Sequence, residues 1–509
     1  MRFVNYIRKT SLFILLISTI LISSCHAAGP VATVSGDVKY VFFFIGDGMG
    51  PVQIHATEAY LAAMEDGYRD EIPGSKKVVK LNFTGFPVQG MTTTYADDRL
   101  ITDSPSAGTA LACGMKTACG LISMSTDGQK SYITIAEQAK AKGMKVGIVT
   151  SESIDHATPA VFYAHQVSRY NYYDIGVQLA NSNFDYFAGG SLQQPAQRAR
   201  RRANTTSAKN TYEVAQENGF KIVTSRGALN DCKPGERVIA YNKPEEDAHI
   251  LHYEIDRPDN CMSLADLTKK GIELLDNENG FFMMVEGGLI DVACHRNDAV
   301  ASFGETIAFD KAIGEALEFY HEHPNETLII VTADHETGGM SMGFATTEYA
   351  TSFEILKNQK MSYLRFNDEI WSKYSSGQWS GVEDDIPESL KTDIADSFGI
   401  VYDRLNAYEK NLLEDAYDKG MASAKRVRLT VSEFPQQDTL LYSTHNPMSV
   451  TLTHMLDNKA GIGWTTFVHT AIPVEVHAIG KDSELFNGFY DNTDVTRKIA
   501  EAINVELNN

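Results

Sequence analysis

Residues 41–50 read VFFFIGDGMG, five apolar residues from Val41 to Ile45 followed by a glycine-rich turn around Asp47. Similar apolar runs, each stopping at polar residues, occur at 146–149 (VGIV), 281–285 (FFMMV) and 328–331 (LIIV). Runs that are apolar at successive positions are typical of strands covered on both faces, as in a parallel sheet. Helical patterns lie between them, at Ile133–Lys142 and Thr306–Tyr320. The sequence therefore predicts an α/β fold with an open, mostly parallel central sheet and helices on both faces.

Polar side chains follow these strands. In open α/β sheets, ligands bind beyond the carboxyl ends of the strands, where these side chains should meet. The residues concerned are Asp47, Thr158, Glu286, Asp334 and His335. One such aspartate alone is often only a helix cap. Several acidic residues in one chain indicate a shared metal site.

Further candidate ligands come from two other segments. If the segment around Asp291 is helical, the spacing to His295 puts a carboxylate and an imidazole on one side of a turn. The strand-like run Trp464–Val468 ends at His469, which repeats the pattern of a strand followed by a ligand. Carboxylate oxygen and imidazole nitrogen both suit Zn²⁺, whereas Mg²⁺ prefers oxygen.

A candidate nucleophile lies in residues 102–110, TDSPSAGTA. Pro105 is suited to the first turn of a helix, so Ser104 is predicted at a helix N-terminus, where free N–H groups favour anions. A bound cation could activate the hydroxyl by stabilising the alkoxide. The alternative is that Ser104 is merely the helix cap. Arg169 offers a guanidinium fork that fits two phosphate oxygens.

The chain resembles the alkaline phosphatase family. The resemblance covers about 38–190, 281–343 and the surroundings of His469, and it depends on seven motifs in the family's order. They are IGDGMG at 45–50, TDSPSAGTA at 102–110, HATPA at 156–160, HQVSR at 165–169, VEGGLIDVACH at 285–295, TADHETGG at 332–339 and VHT at 468–470.

The resemblance implies hydrolysis of phosphate monoesters, with Ser104 phosphorylated transiently and Arg169 holding the phosphoryl oxygens. It also implies two zinc ions and one magnesium ion, the cations stabilising the attacking and leaving oxygens. The implied ligands are Asp291, His295 and His469 for one zinc, Asp47, Asp334 and His335 for the other, and Thr158, Glu286 and Asp47 for magnesium.

Two positions depart from the family pattern near the metals. His156 stands where some members carry Asp, and we include it among the candidate metal ligands. Val292 stands where Lys, His or Trp is common. Both leave the magnesium site open to question at this point, although neither removes a ligand.

The first residues predict export. Arg2, Arg8 and Lys9 precede a short apolar run, which is the pattern of a secretory signal peptide over residues 1–24. The sequence LISSC at 21–25 resembles a bacterial lipoprotein cleavage box, so Cys25 is a candidate lipid anchor. Ordinary cleavage near Ala27 or Ala28 is the alternative. We expect a periplasmic or cell-surface protein.

The rest of the chain predicts a catalytic α/β domain, formed by residues 25–345 and 459–509, with an accessory insertion at 346–458. Amphipathic patterns in that insertion, at Pro387–Phe398 and Tyr408–Lys425, predict helices. A formal net charge of −21 argues against nucleic acid as a dedicated partner. The resemblance favours a homodimer.

Two other functions stay open at this stage. Relatives of the same superfamily hydrolyse phosphodiesters, and they usually use Thr as the nucleophile. A non-catalytic surface lipoprotein that binds metal or phosphate would also need the ligand residues, but its function would survive loss of Ser104.

Overall fold

A computed structural model describes residues 38–65, 76–196, 209–243, 249–375, 385–424, 436–507 and 509. The predicted signal peptide at 1–24 and the candidate lipid anchor Cys25 lie outside these residues. No helix of the described ranges combines the length and the apolar character needed to cross a bilayer.

The described chain contains a central sheet of ten strands. They are β1 Tyr40–Ile45, β2 Val88–Thr92, β3 Lys145–Ser153, β4 Tyr186–Gly190, β5 Phe220–Val223, β6 Arg237–Tyr241, β7 Phe281–Glu286, β8 Thr327–Thr332, β9 Val474–Gly480 and β10 Gly488–Tyr490. Their spatial order is β10-β2-β9-β8-β1-β7-β3-β4-β6-β5. Neighbours run parallel except where β9 pairs antiparallel with β2 and β8. The predicted open, mostly parallel sheet is confirmed.

Strand β1 shows why the run VFFFI decides this architecture. All six of its residues are buried, because β7 and β8 flank it within the sheet and helices cover both faces. Successive side chains point to opposite faces. Phe43 and Ile45 therefore belong to one hydrophobic cluster, and Phe42 and Phe44 belong to another.

Helices cover both faces of the sheet. Outside residues 346–458, the structure has α1 Pro51–Ala63, α2 Ser104–Cys113, α3 Ile135–Ala141, α4 Ala157–Ala160, α5 Tyr172–Asn181, α6 Thr211–Glu217, α7 Arg226–Asn230, α8 Leu264–Leu275, α9 Leu289–Cys294, α10 Ala299–Glu322 and α17 Asn492–Ala502. Helices α2, α3, α5 and α17 pack on the Phe43 face, and α1, α8, α9 and α10 pack on the Phe44 face. The predicted helices at 133–142 and 306–320 correspond to α3 and α10.

Every regular element that the structure describes within residues 346–458 is a helix or a helical turn. These residues contain α11 Tyr363–Arg365, α12 Ser372–Ser375, α13 Glu388–Phe398, α14 Ala407–Ala424, α15 Gln436–Tyr442 and α16 Pro447–Ala460, the last of which runs two residues past the predicted boundary. Shorter 3₁₀ turns lie at Phe353–Asn358 and Tyr402–Arg404, and a π-helical turn lies at Phe366–Trp371. The predicted helical insertion is confirmed, whereas its status as a separate domain stays a prediction.

The insertion is packed onto the sheet-bearing part of the chain through a shared hydrophobic cluster. Phe353, Phe366 and Leu452 from the insertion lie in one cluster with Ala59 of α1 and Phe303 of α10. Burial of this apolar surface therefore stabilises both parts together.

The prediction of a strand at Trp464–Val468 is wrong. This segment wraps around Gly338, whose carbonyl accepts from the backbone N–H groups of Thr465 and Thr466 and whose own N–H donates to Val468. Only His469–Thr470 forms a short strand, antiparallel to Glu336–Thr337. The run therefore forms a loop, and His469 follows this loop rather than a strand.

Candidate active site

The predicted metal ligands meet at the carboxyl ends of three adjacent strands. Asp47 follows β1, Glu286 is the last residue of β7, and Asp334 and His335 follow β8. Because β1 lies between β7 and β8, these side chains converge. Asp47 is not a helix cap, since α1 is capped at Gly50 without a side-chain hydrogen bond. The observed convergence agrees with the interpretation of strand-end residues as ligands.

Asp47, Asp334 and His335 form a fully buried group. The Nε2 atom of His335 lies 3.3 Å from Asp47 Oδ1 and 3.3 Å from Asp334 Oδ2. The backbone N–H of Gly48 donates to Asp334 Oδ1 at 3.2 Å, which fixes that carboxylate. One ligand atom from each of the three residues fits within the span that a single cation would bridge.

Asp291, His295 and His469 form a second group. Helix α9 carries Asp291, and the predicted helical spacing is confirmed because the His295 N–H donates to the Asp291 carbonyl. His295 Nε2 lies 3.2 Å from Asp291 Oδ2 and 3.3 Å from His469 Nε2. The Nδ1 atoms bond elsewhere, to the carbonyl of Phe467 at 2.6 Å for His295 and to that of Thr102 at 2.9 Å for His469. Both rings are thus held with Nε2 free to bind a cation.

Asp47, Glu286 and His156 form a third group. Thr158 donates its hydroxyl to Asp47 Oδ2 at 3.1 Å. Glu286 accepts from the Thr150 hydroxyl. His156 has two different neighbours: its Nε2 accepts from Arg169 Nη2 at 2.8 Å, while its buried Nδ1 has no hydrogen bond. His156, which departs from the family pattern, therefore lies at the predicted magnesium site.

The electrostatics of these groups favour cations. Burial, with Asp334 nearby, raises the pKa of Asp47 well above its usual range, and burial with Asp291 nearby raises the pKa of Asp334 to about 8. Burial also lowers the pKa of His156 to about 3. Burial alone would raise the pKa of Asp291, but His295 and His469 together hold it well below its usual range.

Four buried atoms in these groups lack a hydrogen-bond partner. They are Asp47 Oδ1, Asp334 Oδ2, Glu286 Oε1 and His156 Nδ1. Buried polar groups in proteins are normally satisfied, and like carboxylates crowded together repel one another. Divalent cations would satisfy all four atoms and neutralise the carboxylates. The residues present therefore fit metal ions, with mixed nitrogen and oxygen donors in each group.

Ser104 is the first residue of α2, and Asp103 is its cap. The Asp103 side chain accepts from the backbone N–H of Ser106, and the Ser106 hydroxyl faces the Asp103 N–H in return. The alternative interpretation of Ser104 as the cap is therefore wrong. Its buried hydroxyl instead lies 3.4 Å from His335 Nε2, at the edge of the metal groups.

Arg169 lies beside the same groups. Its backbone N–H donates to the carbonyl of Gly120, and its guanidinium donates to His156. Its positive charge helps to lower the pKa of His335 and of His469, which places the guanidinium within electrostatic reach of both rings. Among the described residues, no carboxylate pairs with it. The guanidinium therefore keeps donors for an anion.

Glu336 and Thr337 support the ligands and were given no role from sequence. Glu336 accepts from Gln53 Nε2 at 2.7 Å and from the Thr470 hydroxyl, which ties the segment after β8 to the strand that carries His469. Thr337 donates its hydroxyl to Asp291. Both residues lie inside the motif TADHETGG at 332–339, and this membership is the sequence feature that could have indicated a role at the site.

The insertion also reaches the site, which the sequence analysis did not anticipate. His445 Nε2 lies 3.3 Å from Nη1 of Arg296, the residue after His295. Burial and the adjacent Arg296 charge lower the pKa of His445 to about 3. His454 Nε2 donates to Asn297 Oδ1 at 2.9 Å. The His454 ring stacks on Phe467, whose carbonyl accepts from His295.

Comparisons with known proteins agree with this geometry. The profile of the family "Alkaline phosphatase" matches residues 38–505. Alkaline phosphatase 3 of Bacillus subtilis is 30% identical over 515 residues, covering 98% of both chains. Alkaline phosphatase of Escherichia coli is 31% identical over 347 residues, covering 58% of this chain and 70% of that protein. The cold-active alkaline phosphatase structure from Shewanella sp. is 26% identical, with a TM-score of 0.72 over 91% of this chain and 99% of that one.

The comparisons and the fold support the same enzyme class. A profile match over nearly the whole described chain, a full-length relative and a matching sheet leave the non-catalytic alternative without support. Phosphate monoesters are the substrates of this class, and its members depend on metals. The chain belongs to the alkaline phosphatase family and is a phosphomonoesterase.

Proposed function

We propose that the chain hydrolyses phosphate monoesters through a phosphoserine at Ser104, assisted by two zinc ions and one magnesium ion. The observation that carries this proposal is the position of the Ser104 hydroxyl, 3.4 Å from His335 Nε2 at the N-terminus of α2. A nucleophile needs this closeness to the cationic centre, because a serine hydroxyl is weak at its ordinary pKa.

The Ser104 hydroxyl is the nucleophile that attacks the phosphorus atom of the ester. Asp103 makes the capping hydrogen bond of α2, so the Ser104 hydroxyl is not needed for it. Because Asp103 caps α2 through Ser106, the Ser104 hydroxyl has no capping bond to break. The free N–H groups of the first helical turn and the helix dipole favour the negative charge of the phosphoryl group.

Arg169 holds the phosphoryl group. Its guanidinium offers a planar fork to two phosphoryl oxygens. His156 orients this fork by accepting one N–H through Nε2 at 2.8 Å, and it can do so because a pKa of about 3 keeps the imidazole neutral. Phosphoryl transfer depends mainly on such positioning and on charge stabilisation.

The donor sets assign the cations. Asp291, His295 and His469 would hold one zinc ion, and Asp47, Asp334 and His335 would hold the other. Asp47, Thr158 and Glu286 would hold magnesium, with His156 Nδ1 facing the same group. When bound, the cations supply positive charge to the attacking and leaving oxygens of the displacement.

The first experiment measures release of phosphate from p-nitrophenyl phosphate. Ser104→Ala should lose activity by about a thousandfold or more, because the nucleophile is gone. Ser106→Ala is the matched control: its hydroxyl belongs to the same helical turn but bonds Asp103, so it should lose no more than severalfold. Equal losses in the two variants would contradict the assignment.

The second experiment looks for the intermediate and the metals. Acid quenching of the wild type during turnover should leave one phosphoryl group on the peptide that contains Ser104, and none on that peptide of Ser104→Ala. Chelation should abolish phosphate release, and elemental analysis of the active protein should find two zinc and one magnesium per chain. Full activity after chelation, or faster cleavage of a diester than of a monoester, would overturn the proposal.

We also propose export and anchoring through Cys25. The support is the leader pattern of residues 1–24. Mass spectrometry of the mature protein from a bacterial host should find Cys25 as an acylated first residue. A mature chain that starts near Ala28 without an acyl group would replace the anchor by ordinary cleavage.

We propose a homodimer as well. Leu100 and Ile101, just before the Ser104 motif, are apolar and exposed, which is typical of an interface. Light scattering should give the mass of two chains, and Leu100→Asp should shift it to one. Tyr349→Asp, at a fully exposed aromatic of the insertion, is the control that should stay dimeric. A wild-type mass of one chain would contradict the dimer.

A further inference from the structure

Arginines in the described chain nearly all have anionic or carbonyl partners. Ion pairs with Asp or Glu are formed by Arg99, Arg226, Arg257, Arg365 and Arg497. Arg237 donates to three backbone carbonyls, and Arg404 is exposed. Two half-buried arginines remain without a carboxylate among the described residues. One is Arg169, which the proposed function already uses, and the other is Arg296.

Arg296 is held in place without being neutralised. Its Nη1 donates to His445 Nε2 at 3.3 Å, and its guanidinium carbon lies 5.5 Å from the centre of the Tyr363 ring. The imidazole accepts this hydrogen bond and carries no negative charge, so it does not neutralise the guanidinium. The other guanidinium nitrogens of Arg296 have no further partner among the described residues. None of them is among the buried, unpartnered atoms, so these donors remain accessible to solvent. A half-buried positive charge normally has a counter-charge.

This arrangement repeats that of Arg169. There too a neutral imidazole, His156, accepts one N–H and leaves the other donors to an anion. The two histidines differ in one respect: His156 belongs to the third metal group, whereas His445 comes from the insertion and is a ligand in none of the groups. Arg296 thus has the form of a second anion-binding side chain.

The position of Arg296 gives the part of the substrate it can reach. It directly follows His295, the residue at the C-terminal end of α9 that belongs to the Asp291 group. The Ser104 hydroxyl lies 3.4 Å from Nε2 of His335, an imidazole that is close to both the Asp47 group and the Asp291 group. Because the proposed function assigns Arg169 to the phosphoryl oxygens, a second anion held by Arg296 would belong to the alcohol part of the substrate.

From these contacts we infer that Arg296, positioned by His445 of the insertion, binds a second anionic group on the alcohol part of the substrate. The favoured substrates are then phosphate monoesters whose alcohol carries a carboxylate or another phosphate. This inference rests on the proposed function and names the substrate class of the same site.

The overall charge of the protein cannot produce such a preference. With a formal net charge of −21, the protein as a whole repels a more negative substrate. A measured preference for the doubly anionic ester would therefore have a local origin. Apart from Arg169, Arg296 is the half-buried arginine without a carboxylate or carbonyl partner that the described residues offer.

The test compares esters that differ in one group. Glycerol 2-phosphate and 2-phosphoglycerate share the ester position, and only the second carries a carboxylate. For the wild type, kcat/KM should be about tenfold higher for 2-phosphoglycerate, the size of one charge-assisted hydrogen bond. The difference should lie mainly in KM, because the second anion is bound equally in the ground state and the transition state. Added salt should reduce it.

Variants assign the preference to the residue. Arg296→Gln should bring the ratio of the two kcat/KM values to about one, and Arg296→Lys should keep part of it. Arg404→Gln removes the same charge from an exposed arginine of the insertion and should keep the wild-type ratio. A second pair, 3-hydroxypropyl phosphate and 1,3-propanediol bisphosphate, replaces the carboxylate by phosphate, and the larger of the two wild-type ratios identifies the preferred anion.

Each result separates the two proposals. Hydrolysis of every ester with a wild-type ratio near one for both pairs would overturn the role of Arg296 and leave the proposed function intact. A ratio that survives in Arg296→Gln would do the same. Failure to hydrolyse any of the four esters would overturn the proposed function itself. Because the wild-type ratios alone decide the first case, the test stands even if a variant folds poorly.

Discussion

Two arginine–histidine pairs of the same design differ in where their residues come from. Arg169 and His156 are 13 residues apart and both follow β3, whereas Arg296 and His445 are 149 residues apart and join the α/β part to the insertion. In each pair a half-buried imidazole, its pKa lowered to about 3, accepts from the guanidinium. The first pair is therefore contained in neighbouring motifs, and the second exists only once the insertion has packed.

The two pairs are assigned to different parts of the substrate, one that all phosphate esters share and one that varies between them. The Arg169 pair serves the phosphoryl group, which every phosphate ester carries. The Arg296 pair faces the alcohol part, which varies from one substrate to another. An insertion that supplies His445 can therefore alter substrate choice without touching a metal ligand.

The largest expected effect is the loss of kcat/KM on removal of Arg169, which should not depend on the alcohol part of the ester. Arg169→Ala should lower kcat/KM by about 10²–10³-fold, because a donor to the transferring group is lost. The loss should be equal for glycerol 2-phosphate and 2-phosphoglycerate, since both carry the same phosphoryl group. A loss restricted to 2-phosphoglycerate would reverse the roles assigned to the two arginines.

The next effect concerns the packing that brings the second pair together. Phe366 is fully buried in the cluster that the insertion shares with α1 and α10. Phe366→Ala should lower the free energy of unfolding by about 3 kcal/mol, from lost burial and the cavity left behind.

Phe489→Ala, at an exposed position, is the matched control for this variant and should change stability by less than about 0.5 kcal/mol. Differential scanning calorimetry of both variants and of the wild type measures the effect. The shared cluster predicts one transition for the whole described part. Two separate wild-type transitions would show that the insertion unfolds independently. Arg296 and His445 would then separate before the α/β part unfolds.

The effect that is smallest at low pH concerns a buried carboxyl at the junction with the insertion. Glu305 of α10 accepts from the Glu254 N–H at 2.6 Å, and burial raises its pKa to about 8. An acid whose pKa is raised in the folded state destabilises the fold as it ionises, so stability should fall as pH rises from about 4.5 to 8. Glu305→Gln removes this loss while keeping an acceptor.

The variant should therefore gain stability relative to the wild type as pH rises, by about 5 kcal/mol at pH 9 and close to nothing at pH 4. Thermal unfolding at a series of pH values measures the difference between the two proteins. A constant difference across that range would mean that Glu305 is already ionised in the folded protein at low pH.

The sheet and most of the site could be predicted because they depend on local patterns. A strand buried on both faces needs an unbroken apolar run, as in Val41–Ile45, and its ligand follows at once. Seven short motifs then gave the ligand types in order. The prediction failed at Trp464–Val468, since an apolar run also suits a loop that packs on neighbouring rings and around a glycine.

Contacts made across long stretches of chain could not be predicted. The roles of Glu336 and Thr337 depend on a strand pairing with residues near His469. His445 lies in a segment whose pattern predicted only helix, and nothing in that pattern relates it to Arg296. Such contacts depend on the docking of whole elements, which periodicity does not describe.

The shared cluster between α1, α10 and the insertion limits how this enzyme could be shortened. A truncation that closes the chain from residue 345 to 459 would leave Ala59, Val300 and Phe303 facing water. Such a minimal catalyst would have to be resurfaced with polar side chains before it stayed in solution.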